Sequence, residues 1–157
     1  MQPERTEVKA FTVAGLQTRT TNTQEMNPLA AQIPGLWGRF MSEAVYNKLA
    51  PHASDACVYG VYDQFESDAA GAYSLTAGRA ISAPVADSAS EFKSAQVQSG
   101  TYLVFAAPGP RPQVVVSTWM AIWQYFQQHP DIQRVYQSDF ERYDGTDGIA
   151  IYIGIRP

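Results

Sequence analysis

The chain has 157 residues, 45% of them apolar and 17% charged, with a net charge of −4. That length holds one ordinary domain with a real core and is short for two independent ones. The acidic balance, with 11 Lys and Arg scattered along the chain, argues against a phosphate-binding surface, so no direct nucleic-acid partner is expected.

Residues 7–19 are rich in β-formers and read as one strand, with Gly15 as a bulge. Residues 20–27 are polar and read as a loop. Asn27-Pro28 then offers an N-cap followed by proline at a first helical position. A main helix is predicted from about Pro34 to Leu49, because Leu36, Trp37, Phe40, Met41, Ala44, Val45 and Leu49 recur at helical spacing before Pro51. Strands are expected at 57–62 and 73–81, joined by the acidic Gly-bearing turn 63–71. The segment 82–91, with Pro84 and many small residues, reads as a linker.

A strand over 96–106 follows, centred on Tyr102-Leu-Val-Phe. Pro108-Gly-Pro-Arg-Pro112 is a rigid turn into a second helix, about 114–128, with Val115, Trp119, Ile122, Trp123 and Phe126 on one stripe. His129-Pro130 ends it. The last two strands are 135–143 and 149–155. The order is β-α-β-β twice, an internal repeat of architecture. The expectation is an α+β fold with one antiparallel sheet and pseudo-twofold symmetry, its helices on one side and a cleft on the other. It would form a single domain over 1–157, with repeat one about 7–81, the linker 82–91 and repeat two about 96–155.

Three Trp, nine Tyr and seven Phe in so small a chain suggest an aromatic core or a ring-lined cavity. Within Val135–Tyr143, strand alternation puts Asp139, Glu141 and Tyr143 on one face and Phe140 and Arg142 on the other. Glu141 among aromatics is either a solvent-facing charge or a charge held in a pocket. Ile149, Ile151, Ile153 and Ile155 mark the helix-packed face of the last strand, which sends Tyr152 toward the cleft.

Other chemistry is sparse. Cys57 is alone, which excludes an intrachain disulfide and a Cys-based zinc site, and reads as a buried, inert thiol. His52 and His129 sit beside prolines without a ligand at metal spacing, so no metal is expected. No phosphate loop or nucleophile elbow is present, and no cofactor is expected. Asp139 and Glu141 stand about 7 Å apart on one strand face, compatible with acid/base work but common on strands. No apolar run nears the roughly 20 residues of a bilayer span and the N-terminus lacks a signal-peptide pattern, so a cytoplasmic protein without membrane contact is expected.

Ile33-Pro-Gly-Leu-Trp37-Gly-Arg-Phe40, Val58-Tyr59-Gly60-Val-Tyr62-Asp63, the Glu66…Tyr73 hairpin, Phe140-Glu141-Arg-Tyr143 and Ile151-Tyr152-Ile153 resemble, as an ordered set, the GyrI-like domain. That domain is the effector-binding module of drug-responsive AraC-type and MerR-type regulators, and also occurs alone. No helix-turn-helix segment precedes Val8, so the stand-alone form is expected. Gly154 departs from the proline that many members carry there.

The resemblance implies a duplicated fold around an aromatic cleft whose buried glutamate, by motif Glu141, meets lipophilic cations. Ring walls would come from Trp37, Tyr59, Tyr73, Tyr102, Trp119 and Tyr152, each adding about 0.5–2 kcal/mol of cation–π attraction when desolvated. Trp123 and Phe126 are assigned to the core. The implied function is binding of amphipathic organic cations of the multidrug type, without a catalytic residue. The alternatives are a hydrolase of electrophilic, cyclopropane-type compounds using Glu141 and a tyrosine, or a protein-interaction modulator of a topoisomerase. A partner protein or a homodimer stays open.

Overall fold

The computed structural model describes residues 2–82 and 91–157. Apart from its two end residues, the linker expected at 82–91 lies outside the described residues. Eight strands build one antiparallel sheet: β1 (Glu4–Val8), β2 (Phe11–Thr20), β3 (Val58–Asp63), β4 (Tyr73–Ile81), β5 (Lys93–Val97), β6 (Gly100–Ala107), β7 (Arg134–Tyr143) and β8 (Ile149–Ile155). Their order across the sheet is β1-β6-β8-β7-β3-β4-β2-β5. Exchanging β1–β4 with β5–β8 returns the same order read backwards, with β7 and β3 at the centre. The helices are α1 (Asn22–Glu25), α2 (Ile33–Ser42), α3 (Val45–Lys48) and α4 (Gln113–Gln128). Among the described residues no helix is long and apolar enough to cross a membrane.

Several elements differ from expectation. The first strand is two, because β1 pairs with β6 while β2 pairs with β4 and β5. The stretch 93–107 divides in the same way into β5 and β6. Gly15 is not a bulge: the β2–β4 register runs unbroken from Thr12 to Thr20. Gly15 and Gly78 instead face each other so closely that a Cβ on either would collide with the opposite backbone. The expected helix 34–49 breaks after Ser42, where Ala44 takes a left-handed conformation (φ 53°) and α3 restarts with Val45 and Leu49 fully buried. Asn27 caps no helix. Its side chain accepts from Leu29 N, closing a turn, and the helical turn α1 lies earlier, capped by Thr21.

The registers lay out a single row across six strands: Leu16, Ala77, Gly60, Glu141, Ile151 and Phe105. Cross-strand partners share a face, so this row is one side of the sheet. α2 covers one end of it, burying Leu36 and Phe40 against Leu16, Leu75 and Ala77. α4 covers the other, burying Ile122 against Phe105, Ile151 and Ile153. Each such aliphatic side chain contributes about 1.5–3 kcal/mol. The middle of the row, Gly60 and Glu141, lies between the two helices.

The opposite face carries a core of its own. Val13, Tyr59, Val61, Val97, Tyr102 and Phe140 form a second core, joined by Val8, Phe11 and Tyr152. Strand β5 pairs with β2 and also approaches β3 and β7, so the sheet curls over this cluster. The cluster fills the middle of this face, and a smaller hollow of about 290 Å³ lies toward its edge, beside Ala106, Arg142 and Ala150. The cleft expected on the side away from the helices is on the helix side, between α2 and α4.

Candidate functional site

Glu141 is the one charged residue in the central row, and its side chain is 1% exposed. Gly60, its partner across β3 and β7, makes this possible. A Cβ at position 60 would stand 3.0 Å from Glu141 Oε1 and 3.1 Å from the Trp37 ring. Three side chains donate to the carboxylate. Tyr62 Oη and Trp119 Nε1 reach Oε2 at 2.7 and 2.8 Å, and Tyr143 Oη reaches Oε1 at 2.8 Å.

All three donors are neutral. Among the described residues no salt bridge involves Glu141, whereas Asp139, on the same strand face, is held by Arg134 at 2.7 Å and by Gly154 N at 2.9 Å. Burial pushes the Glu141 carboxyl above its ordinary range, and the three hydrogen bonds pull it part of the way back. Burial, followed by the charge of Glu141, raises Tyr62 and Tyr143 well above the usual phenol. The site is therefore a buried carboxylate with its hydrogen bonds met and its charge unpaired.

Around it lies a cavity of about 950 Å³. One wall is a run of rings: Tyr73 to Tyr62 at 5.5 Å, Tyr62 to Trp119 at 5.2 Å and Trp119 to Trp123 at 6.3 Å between centroids. The other carries Trp37, 5.7 Å from the Tyr143 ring and 5.6 Å from Phe40. The Glu25 carboxylate accepts from Gln32 N at 2.8 Å and Ile33 N at 3.0 Å. It thereby caps α2, which has no cap of its own, and fixes where Trp37 enters the cavity.

Of the residues singled out in the sequence, Glu141, Trp37, Tyr73 and Trp119 line this cavity. Tyr59, Tyr102 and Tyr152 do not. Tyr59 donates to Asp55 at 2.8 Å and Tyr102 to the Gln98 carbonyl at 2.6 Å, both from the opposite core. Tyr152 stacks on Phe140 there, with centroids 4.3 Å apart and planes 9° apart. The physical reason is the register: Phe140 pairs with Tyr152, and Glu141 pairs with Ile151. Glu141 thus shares the face of the isoleucines and the helices. Trp123, assigned to the core, is 44% exposed and lines the cavity, while Phe126 packs against the α4 core.

Tyr62, Phe40, Met41, Val115 and Met120 were not singled out as site residues and also line the cavity. The signal for Tyr62 was Gly60, since a glycine inside a strand marks a close approach and Tyr62 shares its face. Cys57 is buried in the opposite core. Among the described residues no cluster of His, Cys, Asp and Glu is placed to hold a metal ion.

An antiparallel sheet with two helices framing an aromatic cavity defines a small-molecule-binding protein of the GyrI-like fold. The chain belongs to the Cass2 family of integron-associated effector binding proteins, which matches residues 6–155. It is 36% identical to the integron cassette protein VCH_CASS2 from the mobile metagenome of Vibrio cholerae, covering 99% of this chain and 96% of that one with a TM-score of 0.83.

Two more distant structures share the fold. SAV2435, solved bound to tetraphenylphosphonium, is 20% identical over 99% of this chain and 94% of its own (TM-score 0.77). A protein of Staphylococcus aureus MU50 is 19% identical over 100% of this chain and 99% of its own (TM-score 0.76). No curated protein matches the sequence.

Proposed function

We propose that this effector-binding protein takes lipophilic organic cations, with Glu141 as the countercharge. The observation that carries the reading is the carboxylate itself: buried, hydrogen-bonded by three neutral donors and, among the described residues, without a cationic partner. A buried charge is costly unless paired, and a ligand cation supplies the pairing. Trp37, Tyr73 and Trp119, with Tyr62 and Tyr143, would supply apolar area and cation–π attraction. A volume of about 950 Å³ falls at the upper end of the roughly 300–1,000 Å³ typical of ligand pockets. The tetraphenylphosphonium complex of SAV2435, a fold relative, is consistent with a ligand of this type.

Binding is favoured over hydrolysis by the same hydrogen bonds. A carboxylate offers about four acceptor sites, and three are taken, which leaves Glu141 poorly placed to activate water. The raised tyrosines are poor sources of phenolate at neutral pH.

We further propose that the chain forms a single domain of two repeats. Setting β1 on β5, Glu4 on Lys93, and following the registers carries Gly15 onto Val104, Gly78 onto Tyr152 and Tyr59 onto Phe140. Gly60 then falls on Glu141, and Tyr62 on Tyr143. Because Gly60 and Glu141 are also cross-strand partners, the pseudo-twofold axis runs between them, where space allows one carboxylate and not two.

Tryptophan fluorescence titrated with tetraphenylphosphonium tests the reading, on the wild type and on Glu141→Gln. Saturable quenching with at least a hundredfold weaker binding in the variant is expected. Equal affinities would overturn it.

A further inference from the structure

The chain has three methionines after Met1, namely Met26, Met41 and Met120, and all three line the Glu141 cavity. They come from three separate places: the end of α1, the last turn of α2 and the middle of α4. All are exposed, at 84%, 76% and 60%. Val116 and Trp123, both on α4 and both lining the cavity, are exposed as well, at 59% and 44%. Large apolar side chains gain nothing by standing in water, and their concentration around one cavity mouth marks a surface meant to be covered.

We infer that Met26, Met41 and Met120 form an adaptable collar that closes over the apolar body of the bound cation and sets the range of ligand shapes accepted. The inference rests on the cation-binding reading above and extends it from the charge to the shape of the ligand. Its physical basis is the methionine side chain, unbranched, with three rotatable bonds and a polarisable sulfur that packs on irregular and aromatic surfaces. The wall near Glu141 cannot adapt in this way. Tyr62, Trp119 and Tyr143 are tied to the carboxylate, and Trp37 is wedged over Gly60. The site thus has a rigid floor that selects charge and a compliant mouth that follows shape. α2 and α4 each contribute an inward indole to the floor and an outward methionine to the mouth.

The test replaces all three methionines by isoleucine, which keeps the apolar character and nearly the volume but stiffens each side chain at χ1. Dissociation constants are measured for a panel of singly charged cations graded in bulk, from benzyltrimethylammonium through tetraphenylphosphonium to rhodamine 6G. The wild type is expected to hold tetraphenylphosphonium and rhodamine 6G within about tenfold of each other. The triple variant should keep one of them and lose the other by at least tenfold.

A uniform change across the panel, or none, overturns the collar. A triple leucine variant, apolar and unbranched at Cβ, should retain more of the wild-type breadth than the isoleucine variant. If it narrows as much as the isoleucine variant, side-chain compliance is not the cause and the inference fails. Glu141→Gln separates the two readings, because it lowers every affinity in the panel without changing their ratios.

Discussion

Gly60 and Glu141 face each other across the central strand pair, and the carboxylate occupies the space that any side chain at position 60 would need. Gly60→Ala therefore puts a methyl group 3.0 Å from Oε1 and 3.1 Å from the Trp37 ring. Both contacts are tighter than van der Waals spacing, so the carboxylate or the indole must yield. The expected result is a folded protein, by circular dichroism, whose affinity for tetraphenylphosphonium falls about tenfold, or about 1.4 kcal/mol. Unchanged affinity would mean that the carboxylate can move without consequence.

Glu141 gives opposite pH signatures to stability and to binding. Burial raises its carboxyl in the folded state, so on raising the pH the unfolded chain ionises first. Stability is highest where both states are protonated, falls as pH rises through the ordinary glutamate range and levels off above the folded value. A bound cation favours the ionised form, so affinity rises with pH across the same window. Urea unfolding of the ligand-free protein and titration with tetraphenylphosphonium, each between pH 4 and 8, should show the two slopes. In Glu141→Gln both contributions vanish. A wild-type affinity independent of pH would contradict the electrostatic role.

Placing Tyr152 in the opposite core makes a prediction that the sequence reading would have reversed. Tyr152 stacks on Phe140, away from the cavity. Tyr152→Phe should leave cation affinity within twofold of wild type. Tyr152→Ala should lower stability by about 1–3 kcal/mol, less than the cost of truncating a fully buried ring because Tyr152 is half-buried. Fluorescence titration and urea unfolding separate the two effects. A large loss of affinity in Tyr152→Phe would return that ring to the ligand site.

What the sequence made legible was whatever is periodic. The isoleucines of β8 and the stripe of α4 named the helix-packed face, and the alternation of β7 put Glu141 with Asp139 and Tyr143. It did not reveal which face of β7 matches which face of β8, because that depends on a register set by the whole sheet. Once Phe140 pairs with Tyr152, Glu141 has to join the isoleucines, and the cavity has to lie among the helices. Nor did local pattern predict the break at Ala44, since the buried positions of α2 and α3 follow one another at nearly helical spacing. Trp123 looked like core because it shares a stripe with Trp119, yet α4 lies at the cavity edge and leaves it half in water.

Asp63, at the end of β3, offers a test independent of the ligand. It is 8% exposed, Oδ1 has no hydrogen-bond partner among the described residues, and burial lifts its carboxyl to about 6. Because the folded value is raised, the unfolded chain ionises first, and ionised Asp63 weakens the fold as pH rises from about 4 toward 6. Asparagine has nearly the same shape without the charge. Asp63→Asn should raise the midpoint of thermal unfolding at pH 7.5 by roughly 2–4 °C and leave it unchanged at pH 4. Calorimetry at the two pH values reads the difference directly. An equal shift at both would assign the effect to packing, and no shift at either would mean that water or Arg19 already compensates the charge.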